Sequence, residues 1–312
     1  MNPPADAASI AAAAPPASTS AWARYRTFKS LAHRDYRLLW FGVCGASTGQ
    51  WMEQVVIGWL GYELTGSALA LGLVNAFRAV PALLSGPLGG VAADRMDRKQ
   101  LMVLSQLILG GAVALLLALT LAGHLQMWHL YLFAVVSGIG WSFNQPVRQS
   151  MVPTLVPRED LTNAIALQSS AFQLSRLVGP SIAGVLLAAW GAGSVMMLEL
   201  ALFGVVIATS LQMNVPPRPV GRAKEHPLAS LKAGFAYIRN YHELFSVMLM
   251  ALIPQLFAIP YFTIMPVFAA EVLHTNAVGY GVLATMPGVG ATVATLTVAT
   301  LSDIRNRGRF LV

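Results

Sequence analysis

The sequence predicts an all-α protein that crosses a membrane several times, and three observations carry this prediction. Of the 312 residues, 56% are hydrophobic and 11% are charged, whereas soluble domains contain about 25% charged residues. Two long segments, 101–122 and 277–301, hold no charged residue, and about 20 apolar residues suffice for a helix to cross a bilayer. The basic residues gather in short connections between apolar segments, as is typical of membrane proteins.

Apolar segments of spanning length divide the chain into eight candidate helices. These predicted spans are residues 38–60, 68–92, 101–122, 128–150, 164–190, 194–213, 244–270 and 277–301. Residues 1–27 are expected to form a disordered tail because Ala, Pro and Ser dominate them. The polar segment 215–241 is expected to be a cytoplasmic linker. It separates a six-helix N-terminal bundle, 28–214, from a partial second bundle of two helices, 242–312.

The distribution of Lys and Arg orients the predicted spans. Eighteen of the 20 basic residues, with Arg148 counted at the edge of the fourth span, fall in the two tails or in connections on the same side. The connections on the other side, near 61–67, 123–127, 191–193 and 271–276, contain none. Positive charge stays in the cytoplasm. We therefore expect a multi-pass protein of the lipid bilayer, in the bacterial inner membrane, with a cytoplasmic N-terminus.

Several function classes find no support in the sequence. The net charge is +7, but the basic residues form no continuous patch, so nucleic acid is not expected as a partner. The single cysteine, Cys44, permits no intrachain disulfide, and the sequence contains no metal-ligand spacing, P-loop or GxSxG segment. We therefore expect no cofactor, no metal ion and no enzymatic activity.

A dense cluster of charge occupies the connection between the second and third spans. The stretch GGVAADRMDRKQ (89–100) carries five charges within six residues. A shift of 209 residues aligns Asp94 with Asp303 and Arg98 with Arg307, after the eighth span. This repeat predicts two six-helix halves related as parallel repeats, an arrangement found in transporters. The turn either only holds its connection in the cytoplasm or also takes part in gating.

The same turn resembles the G-x-x-x-D-R-x-G-R-[RK] signature of the major facilitator superfamily. Its signature residues here are Gly90, Asp94, Arg95, Arg98 and Lys99. Asp97 stands where the signature prefers glycine. Segments 32–42, 59–74 and 144–167 resemble the branch that contains enterobactin-type and macrolide-type exporters. The resemblance implies a major-facilitator fold in which the turn, and its second copy with Asp303 and Arg307, act as gates.

The resemblance also implies a function. Members of the superfamily are secondary transporters that work by alternating access, so we expect proton-coupled export of small molecules of drug or siderophore type. The superfamily fold has four helices more than the eight predicted here, and the cross-bundle partner of the turn lies among them. We therefore expect a chain truncated after its eighth helix. The alternative is a fragment that does not transport, or one piece of a split transporter.

Four charged residues, Glu53, Arg78, Arg176 and Glu199, lie inside predicted spans. Each costs about 2.5–3.5 kcal/mol near the centre of a bilayer, so a function is the default interpretation. Glu53 and Arg78 fall at comparable depths on consecutive helices and can form a pair. Glu53 is either half of a fixed ion pair or a proton-responsive carboxylate. Glu199 is expected near the outer end of its span, within reach of water.

In the fifth span, Arg176 precedes Gly179, Pro180 and Gly184. A proline interrupts the hydrogen bonding of a helix and bends it, so we expect a kink here. The segment resembles part of the G-P-x-x-G-G antiporter signature, which implies that Arg176 faces the central cavity beside the substrate or the coupling carboxylate. The alternative is a local kink that only allows helices to pack closely.

Overall fold

The computed structural model describes residues 26–95, 97–215, 245–246, 248–250 and 261–300, and for 26–27, 87–95 and 295–300 it describes the backbone alone. Every element in these ranges is helical. The main helices are α1 (Arg34–Thr65), α2 (Ala68–Arg95), α3 (Arg98–Leu121), α4 (Met127–Leu155), α5 (Leu161–Trp190), α6 (Ala192–Gln212), α7 (Tyr261–Val267) and α8 (Ala277–Thr300). A 3-10 helix, Arg26–Ala32, precedes α1, a short 3-10 turn, Arg158–Asp160, precedes α5, and π-helical residues Phe268–Val272 extend α7.

These helices confirm the predicted all-α membrane bundle. By length and composition, α2, α3, α5, α6 and α8 can each cross a membrane. Helices α1 and α4 have 32 and 29 residues and cover the first and fourth predicted spans. Of the predicted seventh span, the structure describes residues 245–246, 248–250 and 261–270, and α7 begins at Tyr261. Nearly all of the predicted linker and of the predicted tail lies outside the described residues.

Local sequence signals explain where several helices end. Gly66 takes up the left-handed conformation, with φ of 58°, and its N–H donates to the Tyr62 carbonyl to close α1. Asp97 caps α3, since its carboxylate accepts hydrogen bonds from the N–H groups of Lys99 (2.8 Å) and Gln100 (3.1 Å). An aspartate at this position satisfies backbone donors that a glycine would leave free. The departure from the family signature at Asp97 therefore has a structural reason.

The first six helices pack as one bundle around α1. Helix α1 lies against α5 and α6, α2 against α4, and α3 against α4 and α6. Glycines permit the closest approaches, as is usual between membrane helices. An added Cβ at Gly138 of α4 would overlap the Arg78 carbonyl oxygen of α2. The backbone of α2 at Arg78 is thus pressed directly against α4.

The second half of the chain docks on the bundle through α5. An added Cβ at Gly184 would lie 2.7 Å from the Cα of Gly281 in α8, and the hydroxyls of Ser181 and Thr285 are 2.9 Å apart. At the middle of α8, Gly288 packs against the backbone of α5 at Arg176 and Leu177. Helices α2 and α8 begin 209 residues apart, at Ala68 and Ala277, as the predicted repeat requires.

One end of the bundle, here named the basic end, carries the start of α1, the α2–α3 turn and the α4–α5 connection. Two of the segments that resemble the exporter branch meet there. Tyr36 donates a hydrogen bond to the Ala164 carbonyl (2.7 Å), and Trp40 donates one to the Leu167 carbonyl (3.0 Å). Asp160 binds Lys29 (2.8 Å) and His33 (2.9 Å). These contacts fasten the start of α1 to the start of α5.

Candidate functional site

A buried ion pair joins α1 and α2 inside the bundle. The Arg78 Nη2 group donates to Oε1 of Glu53, and the Ser137 hydroxyl of α4 donates to the same oxygen at 2.8 Å. The Glu53 side chain is 1% exposed. The pairing expected from the matched depths of the two residues is therefore present, and α4 adds a third member that the sequence did not indicate.

Glu199 of α6 belongs to the same site, which corrects the expectation that it reaches water. It is 1% exposed, and its Cγ lies 3.5 Å from the position that a Cβ would occupy on Gly49 of α1. Gly49 is one helical turn from Glu53, and both Glu53 and Arg78 act electrostatically on Glu199. The absence of a side chain at Gly49 leaves room for Glu199 to turn inward, which residue counting along α6 does not reveal.

The cluster of Glu53, Arg78, Ser137 and Glu199 brings together two carboxyl groups and one guanidinium. Oε2 of Glu53 and Oε1 of Glu199 are buried without a hydrogen-bond partner among the described residues. A buried ionised carboxylate is costly unless it is paired. One cation cannot balance two ionised carboxylates, so the cluster has an unbalanced negative charge when both carboxyl groups are ionised.

Arg176 lies in an aromatic setting where α1, α5 and α7 meet. Its guanidinium carbon is 5.3 Å from the centroid of the Trp51 ring, within cation–π distance. The Trp51 ring is 5.9 Å from Phe172 and 6.1 Å from Phe262, measured between centroids. Tyr261 of α7 is within electrostatic range of Arg176. The side chains of both halves of the chain therefore meet around Arg176.

Two cavities adjoin these groups. A small one, of about 40 Å³, is lined by Arg78, Asn75 and Gln54 together with Phe262 of α7. A larger one, of about 710 Å³, lies between α1, α4 and α5 in the half of the bundle nearest the basic end. Its lining residues are Val43, Ser47, Gln145, Arg148, Gln149, Val152, Pro153, Ile165, Gln168, Ser169, Phe172 and Gln173. Phe172 is shared between this cavity and the aromatic group around Arg176.

The burial of Arg148 was not predicted from the sequence. Arg148 was grouped with the basic residues of a connection, but it lies within α4 and is 2% exposed. Helix α4 continues through Pro146 and Pro153 to Leu155, so Arg148 is about 10 Å from the end of the helix at 1.5 Å per residue. A signal was present, because Asn144, Gln145, Arg148 and Gln149 recur at the spacing of one helix face.

The charged turn between α2 and α3 binds two neighbouring helices. Arg98 donates to the Ser150 carbonyl of α4 at 2.8 Å, and Lys99 donates to the carbonyls of Leu211 (2.6 Å) and Met213 (2.9 Å) at the end of α6. A cation at the C-terminus of a helix is favourable for the helix dipole. Gly90, Asp94 and Arg95 are described in backbone only, as the last turns of α2, while Asp303 and Arg307 lie outside the described residues.

The glycines of the expected kink are contact points. An added Cβ at Gly179 would lie 2.8 Å from the Trp51 Cβ of α1, and Gly184 meets Gly281 of α8. Helix α5 is not interrupted at Pro180, as is common for proline in packed membrane helices. In the part of the chain that the structure describes, no group of three or more His, Cys, Asp or Glu side chains could hold a metal ion.

The structure has a six-helix membrane bundle with buried charges, and the helices that begin a second copy of the sequence repeat pack against it. This architecture is typical of secondary transporters. The sequence places the chain within that class more narrowly. It belongs to the major facilitator superfamily, in the family described as transmembrane secretion effectors, whose sequence model matches residues 25–312. This confirms the resemblance carried by the α2–α3 turn.

Relatives of known function lie in the expected branch. The chain is 26% identical over 252 residues to a staphyloferrin A transporter of Staphylococcus aureus, covering 80% of this chain and 62% of the relative. It is 26% identical over 220 residues to macrolide efflux protein A of Streptococcus pyogenes, covering 69% and 54%. It is 31% identical over 185 residues to an enterobactin exporter of Escherichia coli, covering 57% and 40%. The chain thus spans less than two thirds of the length of each of these relatives.

Solved structures share the fold. A bacterial homologue of the human lysosomal transporter Spinster, in an inward-facing and occupied conformation, superimposes with a TM-score of 0.68 at 17% identity, over 88% of this chain and 63% of the homologue. Its inward-facing and unoccupied form gives a TM-score of 0.64 at 18% identity, over 86% and 63%. At this level of identity the likeness concerns the fold alone.

Proposed function

We propose that the protein is a secondary-active exporter of small molecules that exchanges its substrate for protons by alternating access. Its basic end faces the cytoplasm and its membrane is the bacterial inner membrane, in accord with the positive-inside rule. The names of the relatives, which include exporters of a macrolide and of siderophores, support export of drug-type or siderophore-type compounds.

The observation that carries the proton coupling is the charge composition of the cluster of Glu53, Arg78, Ser137 and Glu199. With both carboxyl groups ionised, the buried site has a net charge of −1; with one proton bound, it is neutral. Binding of that proton lowers the cost of burying the cluster, and its release raises that cost. The proton therefore favours the conformation in which the cluster is buried. Arg78 also lines the small cavity beside α7. The cluster therefore adjoins a cavity between the six-helix bundle and α7.

The distribution of contacts supports alternating access. Several close contacts between α1–α6 and α7–α8 lie in the half of the bundle opposite the basic end. Gly58 of α1 packs against Tyr280 and Pro266, and Gly184 of α5 packs against Gly281. The large cavity lies in the other half of the bundle. In the proposed cycle, the halves rock about the Gly184–Gly281 crossing, which assigns Gly179, Pro180 and Gly184 to the pivot.

The α2–α3 turn is proposed as the gate at the basic end. Arg98 and Lys99 hold the ends of α4 and α6, so movement of the turn is transmitted to the helices that carry Ser137, Arg148 and Glu199. Gly90, Asp94 and Arg95 complete the turn, and Asp303 and Arg307 take the equivalent role in the repeat. Arg176 is proposed to contact the substrate at mid-depth.

Efflux from proteoliposomes tests the proposed function. The 312-residue chain is reconstituted in liposomes, and export of a macrolide, a catecholate siderophore and a cationic dye is followed with and without an imposed pH gradient. We expect the gradient to drive export of at least one compound, and Glu53→Gln to abolish its pH dependence. The exposed Glu159 supplies the control Glu159→Gln. Export that ignores the gradient, or that keeps its pH dependence in Glu53→Gln, would contradict proton coupling at this site.

A further inference from the structure

The large cavity between α1, α4 and α5 contains a buried cation for which the described residues supply no counter-charge. Arg148 lines this cavity and is 2% exposed. Its Nε and Nη1 atoms have no hydrogen-bond partner among the described residues, and no described carboxylate lies within ion-pair distance of it. The contact in place is with the Trp141 ring, whose centroid is 5.7 Å from the guanidinium carbon.

Such a group is costly unless something binds it. Burial of an unpaired charge is among the largest penalties in protein energetics, and guanidinium groups are suited to bind carboxylate or phosphate oxygens through two parallel hydrogen bonds. A buried arginine that faces a cavity, and whose donors are unused, is therefore prepared for an anionic group. An intramembrane arginine with a purely structural role is expected to be paired.

The rest of the cavity wall fits a polar organic molecule. Gln145 and Gln149 flank Arg148 on α4, and Gln168 and Gln173 face the same space from α5. Amides both donate and accept hydrogen bonds, so they can bind hydroxyl and carbonyl groups without adding charge. Phe172 offers an apolar surface at the end of the cavity nearest Trp51 and Arg176. A volume of about 710 Å³ is in the range of small-molecule sites.

We propose that Arg148 binds the anionic group of the transported molecule, so that the substrate class is an organic acid carrying a carboxylate or a similar oxyanion. This inference rests on the proposed export function and identifies its substrate class. Arg148 binds the acid at the basic end, the glutamines hold its polar groups, and Phe172 leads it toward Trp51 and Arg176 at mid-depth. The described lining of the cavity contains no acidic residue, so it does not repel an incoming anion.

Binding to the full 312-residue chain in nanodiscs of phosphatidylcholine tests the proposal without any need for transport. The probes are citrate, benzoate and inorganic phosphate, and benzamide is the neutral match for benzoate; calorimetry at pH 7.5 measures binding. We expect citrate or benzoate to bind, benzamide to bind more weakly, and Arg148→Gln to weaken the acid at least tenfold. Arg148→Lys should retain part of the affinity. Arg158→Gln, which removes an exposed arginine at the same end, should have no effect.

Each outcome supports or overturns the assignment of Arg148 as the group that binds the acid. Equal affinity of the wild type and Arg148→Gln for every acid, or no binding of any acid, overturns the proposal. Nanodiscs that also contain phosphatidylglycerol test whether Arg148 binds an anionic lipid headgroup instead of a soluble acid. If Arg148→Gln alters binding of this lipid but of no soluble acid, the site is a headgroup site and the substrate assignment fails. Loss of acid binding in Arg148→Gln without pH-driven efflux in the wild type would support the site and reject the exporter.

Discussion

Arg78 and Arg148 are both held inside the bundle, on helices α2 and α4 that pack against each other, yet their surroundings differ. Arg78 binds the Glu53 carboxylate and has Glu199 nearby. Arg148 is the more deeply buried of the two and has no acidic partner among the described residues. In the proposed scheme, the first arginine completes a site within the protein and the second binds a ligand. Counter-charge, more than burial, separates the two proposed roles.

The largest effect is expected when the cation of the buried cluster is removed. Arg78→Met should lower the free energy of unfolding by about 3 kcal/mol, because it leaves the buried carboxyl groups of Glu53 and Glu199 without a counter-charge. The measurement is thermal unfolding in mild detergent at pH 7.5. Glu159→Gln, on the exposed 3-10 turn, should change stability by less than about 0.5 kcal/mol.

The double variant Glu53→Gln with Arg78→Met sharpens the same comparison. It should recover part of the stability lost in Arg78→Met, since one buried carboxyl group, that of Glu199, is then left without a cation instead of two. Equal unfolding temperatures for the two single variants and the double variant would show that the pair contributes nothing, and the contrast between Arg78 and Arg148 would lose its basis.

A second large effect is expected from the helix contact that positions Arg78. Gly138→Ala introduces a Cβ that overlaps the Arg78 carbonyl oxygen, so α2 and α4 must separate at the level of the cluster. We expect destabilisation of about 1–3 kcal/mol, as for overpacking elsewhere. Gly111→Ala in α3 is the matched control, because an added Cβ there meets open space and alanine favours the helix. Equal stability of the two variants would argue against direct contact between α2 and α4 at Arg78.

A smaller effect is expected at Asp160, an acidic group outside the spans. Burial alone raises the pKa of Asp160, but hydrogen bonds from His33 and Lys29, together with their charges, hold the pKa below its usual value. The stabilisation is therefore present above the unfolded-state pKa, about 3.9 for aspartate, and is lost as pH falls through the lower folded-state pKa.

Unfolding of Asp160→Asn and the wild type between pH 7 and pH 3 measures this contribution. The variant should be less stable at pH 7 by about 1 kcal/mol, and the difference should shrink toward pH 3. A difference that grows on acidification would mean that the pKa is shifted in the opposite direction.

The smallest effect is expected at Arg148. Arg148→Met removes a buried cation that has no counter-charge, so the loss of the cation–π contact, about 0.5–2 kcal/mol, is offset by relief of the burial penalty. We expect a net change within about 1 kcal/mol of zero in the absence of ligand, by the same unfolding assay. Destabilisation as large as that of Arg78→Met would reveal an acidic partner of Arg148 in the unliganded protein.

The fold and part of the site follow from the sequence because hydrophobic length and charge position are local properties. The span pattern predicted α1–α6 and α8, and equal depth on consecutive helices predicted the pairing of Glu53 with Arg78. Glu199 was misplaced because the space above Gly49 arises only when α1 and α6 pack. Arg148 was missed because the predicted span ended near residue 150, whereas α4 runs to Leu155.

The family signature had a similar limit. It identified the turn that holds Arg98 and Lys99, but their partners are backbone carbonyls of α4 and α6, and any residue type can supply those. Ser137 was invisible for a related reason, since a lone serine in an apolar helix is common and its meaning depends on Glu53 lying opposite. Contacts between distant segments, rather than composition, complete the site.

We propose that the carboxyl groups of Glu53 and Glu199 share Arg78 and together bind one proton, which makes the buried cluster neutral. Infrared spectroscopy of the full chain in nanodiscs at pH 7.5, with hydrogen–deuterium exchange to identify the band, measures a protonated carboxyl group directly. We expect this band in the wild type and in Glu159→Gln, and its loss in both Glu53→Gln and Glu199→Gln, where the remaining glutamate pairs with Arg78 as a carboxylate. A wild type without the band, or a band that survives in both variants, would rule out the shared proton.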